Sequence, residues 1–93
     1  LWWTWIPPTR PQVAFTLFGD RVKWWLTVNE PTVTCENGFR WGSHPPGRCS
    51  DRRYCPAGDS STEPPICMHN IILAHAAVSR SSSLCSSTAL ARV

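Results

Sequence analysis

The chain lacks any apolar run long enough to cross a membrane: Ile71 to Val78 falls far short of the ~20 residues a spanning helix needs. Leu1 to Ile6 is apolar but has neither a basic lead nor a small-residue cleavage site, so it is not read as a signal peptide. No Asn-x-Ser/Thr sequon is present, and secretion gains no support from that side. There is no Cys-x-x-Cys, and His69 and His75 are not at the i, i+4 spacing of helical ligands, so neither a metal site nor a cofactor is expected. Charge is sparse, nine Lys and Arg against six Asp and Glu for a net +3. Arg48, Arg52 and Arg53 cluster, but no basic stripe alternates with aromatics, so nucleic acid is not an expected partner. No initiating Met is present, and 93 residues make one small domain at most.

What is present centres on Phe18 to Pro31. Gly19 can take the left-handed conformation that closes a helix, and Asp20-Arg21 makes a polar turn. Val22 to Val28 is a short, nearly continuous apolar run, which predicts a strand buried on both faces as in a parallel sheet. Pro31 cannot donate to a central ladder, so pairing should end by Glu30. An Asn-Glu pair then stands at the carboxyl end of a buried strand, where barrel enzymes keep their chemistry.

Thr27-Val28-Asn29-Glu30-Pro31 resembles the T-x-N-E-P motif of family 1 glycoside hydrolases, the β-glucosidase family. Pro46-Gly47-Arg48-Cys49-Ser50, then Gly58-Asp59-Ser60-Ser61-Thr62-Glu63-Pro64, then His69-Asn70 with Leu73-Ala74-His75-Ala76, follow in the family's order. Phe18 to Val22 is similar to the family's lead-in, and the plant members are nearest in style. The resemblance covers roughly Phe15 to Arg80. It implies an α/β fold, here a fragment of a (β/α)8 TIM barrel with one strand, one long loop and one or two helices. A complete barrel needs about 250 residues, so this chain is not expected to form one alone.

Three segments are expected. Residues 1–13 are rich in Trp and Pro and depart from the family pattern; Pro7, Pro8 and Pro11 exclude a regular helix there. A retained intron or a frame shift accounts for them ahead of a Trp-rich arm for a partner. Residues 14–80 are the partial family domain. Within it, Thr32 to Thr62 reads as a long loop of the kind that lines an active-site mouth. A helix should start at Thr62 or Glu63, with Ser60 and Glu63 at capping-box spacing and Pro64 and Pro65 in the first turn. Its apolar content from Ile66 to Arg80 predicts burial of at least one wide face. Residues 81–93 are a Ser-rich tail, read as disordered or out of frame.

By resemblance, Glu30 is the general acid/base and Asn29 hydrogen-bonds the sugar 2-hydroxyl, in a retaining hydrolase of β-glucosides. A Gln at position 30 would suggest a thioglucosidase; Glu favours O-glucosides. The family's nucleophile comes from a later strand in a motif ending Glu-Asn-Gly. Glu36-Asn37-Gly38 mimics that ending but lies too soon after Glu30, and Glu36 is read as a loop residue. Thr32 stands where the family usually has Trp, which bears on the aglycone site. The spacing of Cys49 and Cys55 matches a disulfide of plant members, which would imply an oxidising compartment, secretory, vacuolar or plastid. Cys35, Cys67 and Cys85 have no assigned partner, and Cys67 reads most simply as a small buried hydrophobe. His69 and His75 are expected to pack or hydrogen-bond against neighbouring elements, and His44 carries no readable role. The alternative to a fragment of a β-glucosidase is a non-catalytic degenerate or misspliced product, or a small interaction protein using its Trp-rich end.

Overall fold

The computed structural model describes residues 9–90, with side chains from residue 11 to residue 82. The Trp-rich stretch Leu1 to Ile6, the Cys85 side chain and residues 91–93 lie outside what is described. The element order is α1 (Thr9–Phe18), α2 (Pro31–Phe39) and α3 (Glu63–Leu90). Two compact units divide the chain: residues through Thr27 together with Leu73 onward, and Val28–Ile72.

In the first unit, α1 starts earlier than its prolines suggested. Pro11 falls in the first turn, where the amide it lacks would have no intrahelical acceptor. The helix stops at Gly19, whose N–H donates to the Phe15 carbonyl at 2.9 Å. Gly19 has no positive φ, contrary to expectation. Its reason is space: a Cβ there would fall on the Phe15 carbonyl oxygen. The Arg21 and Val22 amides then close the turn onto Phe18.

The strand expected at Val22–Val28 does not form, and among the described residues there is no strand. A single strand has nothing to pair with, and its ladder groups stay with water. Trp24 and Leu26 are accordingly 88% and 84% exposed. What does pack is Trp25, whose ring meets Phe15 edge-on at 4.9 Å between centroids. Phe15 is the one buried large side chain described in this unit, at 7% exposure. Of the expected barrel fragment, the one strand is thus absent and three helices are present among the described residues, and the expectation that the chain forms no complete barrel holds.

In the second unit, the long loop expected from Thr32 begins instead with α2. Pro31 sits in its first turn, and the Thr34 amide donates to the Glu30 carbonyl at 3.1 Å. Glu36 and Arg40, one turn apart with the acid nearer the amino end, form an ion pair along the helix. Cys35 and Gly38 are its buried residues. The path from Arg40 to Thr62 is irregular but densely bonded. Arg48 N–H donates to the Gly38 carbonyl and Cys49 N–H to the Ala57 carbonyl. Ser50 and Ser60 exchange amide-to-hydroxyl bonds of 2.9 and 2.8 Å, and the Ser60 hydroxyl also donates to the Arg40 carbonyl.

Helix α3 begins at Glu63 as read, with Pro64 and Pro65 in its first turn. Its cap is not the Ser60/Glu63 box. Asp59 accepts from the Ser61 and Thr62 amides at 2.8 and 3.3 Å, because Ser60 is committed to Ser50 and Arg40 and Glu63 to Arg48. The Ser-rich run read as a disordered tail continues α3 to Leu90. The wide buried face also fails: Ile66, Ile72 and Leu73 are exposed, no layer among the described residues covering them. No helix among the described residues is long and apolar enough to cross a membrane.

Candidate active site

Glu30 stands at the amino end of α2, as its N-cap residue, with φ 44° and ψ 61°. This is the left-handed region, which costs a β-carbon-bearing residue roughly 1–2 kcal/mol. It is the one described non-glycine residue with positive φ. The Glu30 side chain makes no capping bond and is exposed, as is Asn29. A carboxylate at a helix amino end faces the positive pole of the peptide dipoles, although α2 is only nine residues long.

Glu36, the acid of the Glu-Asn-Gly mimic, is on α2 rather than in a loop. Both of its carboxylate oxygens are taken by Arg40. That partnership leaves it a structural role. Thr32 is exposed one residue beyond Pro31. Among the described residues, no group of three or more His, Cys, Asp or Glu side chains is placed to hold a metal ion.

The segment that follows this helix carries the next two motifs, Pro46 to Ser50 and Gly58 to Pro64. Arg48 lays its guanidinium across both Glu63 oxygens, Nε at 3.1 and 2.9 Å and a terminal nitrogen at 2.5 Å. Hydrogen bonding from Arg48 holds the Glu63 carboxyl below its ordinary range, against a smaller opposing effect of burial. Asp59 is lowered by its bonds from Ser61, and Asp51 by those from Arg53. The Cys49 and Cys55 sulfurs are bonded at 2.05 Å. Arg52 reaches back to the Cys49 and Gly58 carbonyls. The His44 ring approaches the neighbouring Ser43 hydroxyl, with Nδ1 and Oγ 3.2 Å apart.

A second bridge, Cys35–Cys67, joins α2 to α3 and corrects the reading of Cys67 as an unpaired hydrophobe. Its partners are 32 residues apart. No local pattern marks such a pair; an odd cysteine count with three unassigned members was the available signal.

In the first unit, Thr27, which opens the T-x-N-E-P motif, meets His75 with Oγ1 and Nδ1 2.7 Å apart. Two motifs separated by 48 positions are thus brought together. They border an open cleft of about 210 Å³ whose other walls include Phe15, Trp25 and Val78. His69 is exposed on α3.

These motifs in this order have a counterpart among known proteins: the sequence pattern of Glycosyl hydrolase family 1 matches residues 10–90. The chain belongs to glycosyl hydrolase family 1. The family match runs beyond 14–80 on both sides, into the end of the Pro-rich segment and along the Ser-rich part of α3. Furcatin hydrolase of Viburnum furcatum is 54% identical over 69 residues, 74% of this chain and 12% of that protein. Beta-glucosidase 1B of Phanerodontia chrysosporium is 58% identical over 64 residues, 69% of this chain and 12% of its own length. Beta-glucosidase 34 of Oryza sativa subsp. japonica is 50% identical over 70 residues, 73% of this chain and 14% of its own. The family 1 chain described here therefore spans only about an eighth of the length of such relatives.

Proposed function

We propose that this chain is the acid/base segment of a retaining β-glucosidase, with Glu30 as the proton donor to the departing glycosidic oxygen. In the second half-reaction the same carboxylate takes a proton from water. Asn29 hydrogen-bonds the 2-hydroxyl of the sugar, a contact that strengthens as the oxocarbenium-like transition state forms. The nucleophile, about 5–5.5 Å from the acid/base in such enzymes, is supplied by another part of a complete (β/α)8 barrel. The substrate class is an O-linked β-glucoside; residues 14–80 carry the family chemistry, and residues 1–13 and 81–93 flank it. The observation that supports this reading most is Thr27-Val28-Asn29-Glu30-Pro31, standing ahead of three further family motifs in order.

The test is a chimera. Residues 14–80 are exchanged into a complete β-glucosidase such as the Oryza relative, and hydrolysis of an aryl β-glucoside is followed. Turnover is expected, and Glu30→Gln within the chimera should lower it by about 10²–10⁴-fold, the range for a general acid/base group. A folded, active chimera indifferent to Glu30→Gln would remove Glu30 from the mechanism.

A second reading, that the 93-residue chain is a non-catalytic product, has one observation in its favour. Glu30 is solvent-exposed, and an acid/base carboxyl draws its raised proton affinity from a partly desolvated pocket. The isolated chain is accordingly expected to give no hydrolysis of an aryl β-glucoside. Turnover by it that vanished on Glu30→Gln would reverse that expectation.

A further inference from the structure

The Val28–Ile72 unit buries no Leu, Ile, Val or aromatic side chain; its buried residues are Cys35, Gly38, Cys49, Cys55 and Pro64. Its order therefore rests on two disulfides and a polar network rather than on an apolar core, as small stapled domains do. Within it, α2 is too short to be stable alone, and Thr32, Val33 and Thr34 are poor helix formers. The hydrogen bonds that tie α2 to the following loop all grip its carboxyl end. They run from Arg48 N–H to Gly38, from His44 N–H to Asn37, and from the Ser60 hydroxyl to the capping residue Arg40. Nearer the amino end, the Cys35 sulfur ties α2 to Cys67 of α3.

The two bridges also differ in access. Cys49 and Cys55 are both buried, at 3% and 2% exposure, and the Gly42 backbone lies so close that a Cβ there would collide with the Cys55 sulfur. Cys35 is equally buried, but its partner Cys67 is only half-buried. Thiol–disulfide exchange needs a thiolate to reach one sulfur of the pair, so the difference in access favours opening of Cys35–Cys67 first.

We propose that Cys35–Cys67 is a redox-controlled latch on α2, opened by a dithiol reductant ahead of Cys49–Cys55. A reductant thiolate attacks the Cys67 sulfur, breaking the S–S bond and releasing Cys35 as a thiolate that takes up a proton. The reductant's second thiol then displaces Cys67 from the mixed disulfide. The reductant leaves as its own disulfide, having supplied two electrons and two protons. Opening frees Pro31 to Cys35 from α3, while the loop from Arg48 to Glu63 stays closed by its own bridge and the Arg48–Glu63 pair. The latch is independent of whether Glu30 is the acid/base, because its readouts are structural.

The experiment uses the 93-residue chain carrying Cys85→Ser, oxidised and then exposed to increasing dithiothreitol. It is quenched with N-ethylmaleimide and read by peptide mass, with amide hydrogen exchange in parallel. Cys35 and Cys67 should label at lower reductant than Cys49 and Cys55. At that stage exchange at Thr34 and Cys35 should rise about tenfold or more, while the Cys49 and Cys55 amides keep their protection. Labelling of Cys49 and Cys55 first or simultaneously overturns the proposal. So does opening of Cys35–Cys67 with no change at α2, or an oxidised chain whose mass lacks that bridge. The pair Cys35→Ala with Cys67→Ala should exchange at α2 like the partly reduced chain; protection equal to the oxidised parent overturns the latch.

Discussion

Glu63 shows how a single side chain can be claimed by either of two local roles. Its spacing from Ser60 suits a capping box, yet Arg48 takes both of its oxygens and Asp59 assumes the cap. Since the folded-state pKa of Glu63 is lowered, chiefly by the Arg48 hydrogen bonds, the stability it adds is complete above the ordinary carboxylate range and is lost as the pH falls through its folded value. Glu63→Gln should therefore melt below the parent at neutral pH, with the gap closing in strong acid, as thermal unfolding across pH would record. Gly42 carries a different constraint. With φ at +69° and the Cys55 sulfur above it, Gly42→Ala meets both a backbone penalty and a collision. A loss of at least about 1 kcal/mol is expected, the lower end of the left-handed cost, measured by urea unfolding.

Helix α2 and the segment before it respond oppositely to the lack of neighbours. Cys35–Cys67 closes 32 positions, which in the chain-entropy account is worth about 3–4 kcal/mol. Replacing both cysteines by Ala should shift the urea midpoint by a corresponding amount, more than any single hydrogen bond of the loop. Val22 to Val28 has no such tie. Among the described residues, the amides from Lys23 to Glu30 donate no backbone hydrogen bond. They should exchange within the dead time of a hydrogen-exchange experiment, whereas the same residues in the chimera proposed above should be protected as a paired strand. Slow exchange of this segment in the isolated chain would contradict the structure.

Taken whole, the chain has family 1 sequence without the layers that family sequence is written for. Ile66, Ile72 and Leu73 on α3, and Trp24 and Leu26 before α2, are apolar side chains left in water. Each side chain of that size forgoes roughly 1.5–3 kcal/mol relative to full burial. The Val28–Ile72 unit compensates with bridges and ion pairs; the first unit has Phe15 against Trp25 and the Thr27–His75 contact. Reduction of both disulfides is expected to remove the chain's cooperative unfolding transition. A sharp transition persisting in excess reductant would mean that an apolar core, not the bridges, holds the second unit.

The amino-acid order by itself determined what depends on neighbours along the chain. It carried the family, the stop at Gly19 and the start of α3 at Glu63 with two prolines in its first turn, and it is the source of the proposal that chemistry rests on Glu30 and Asn29. These follow from steric rules and motifs a few residues long, which need no partner from elsewhere. Tertiary structure decided everything that requires two distant segments to meet. It paired Cys35 with Cys67, brought Thr27 to His75, gave Glu63 to Arg48 instead of to a capping box, and left Val22–Val28 unpaired. A strand, a buried helix face and a disulfide are all relations between segments, so a local pattern states only half of each. The other half is the neighbour, and in this chain the fold supplied one to Cys35 and none to Trp24.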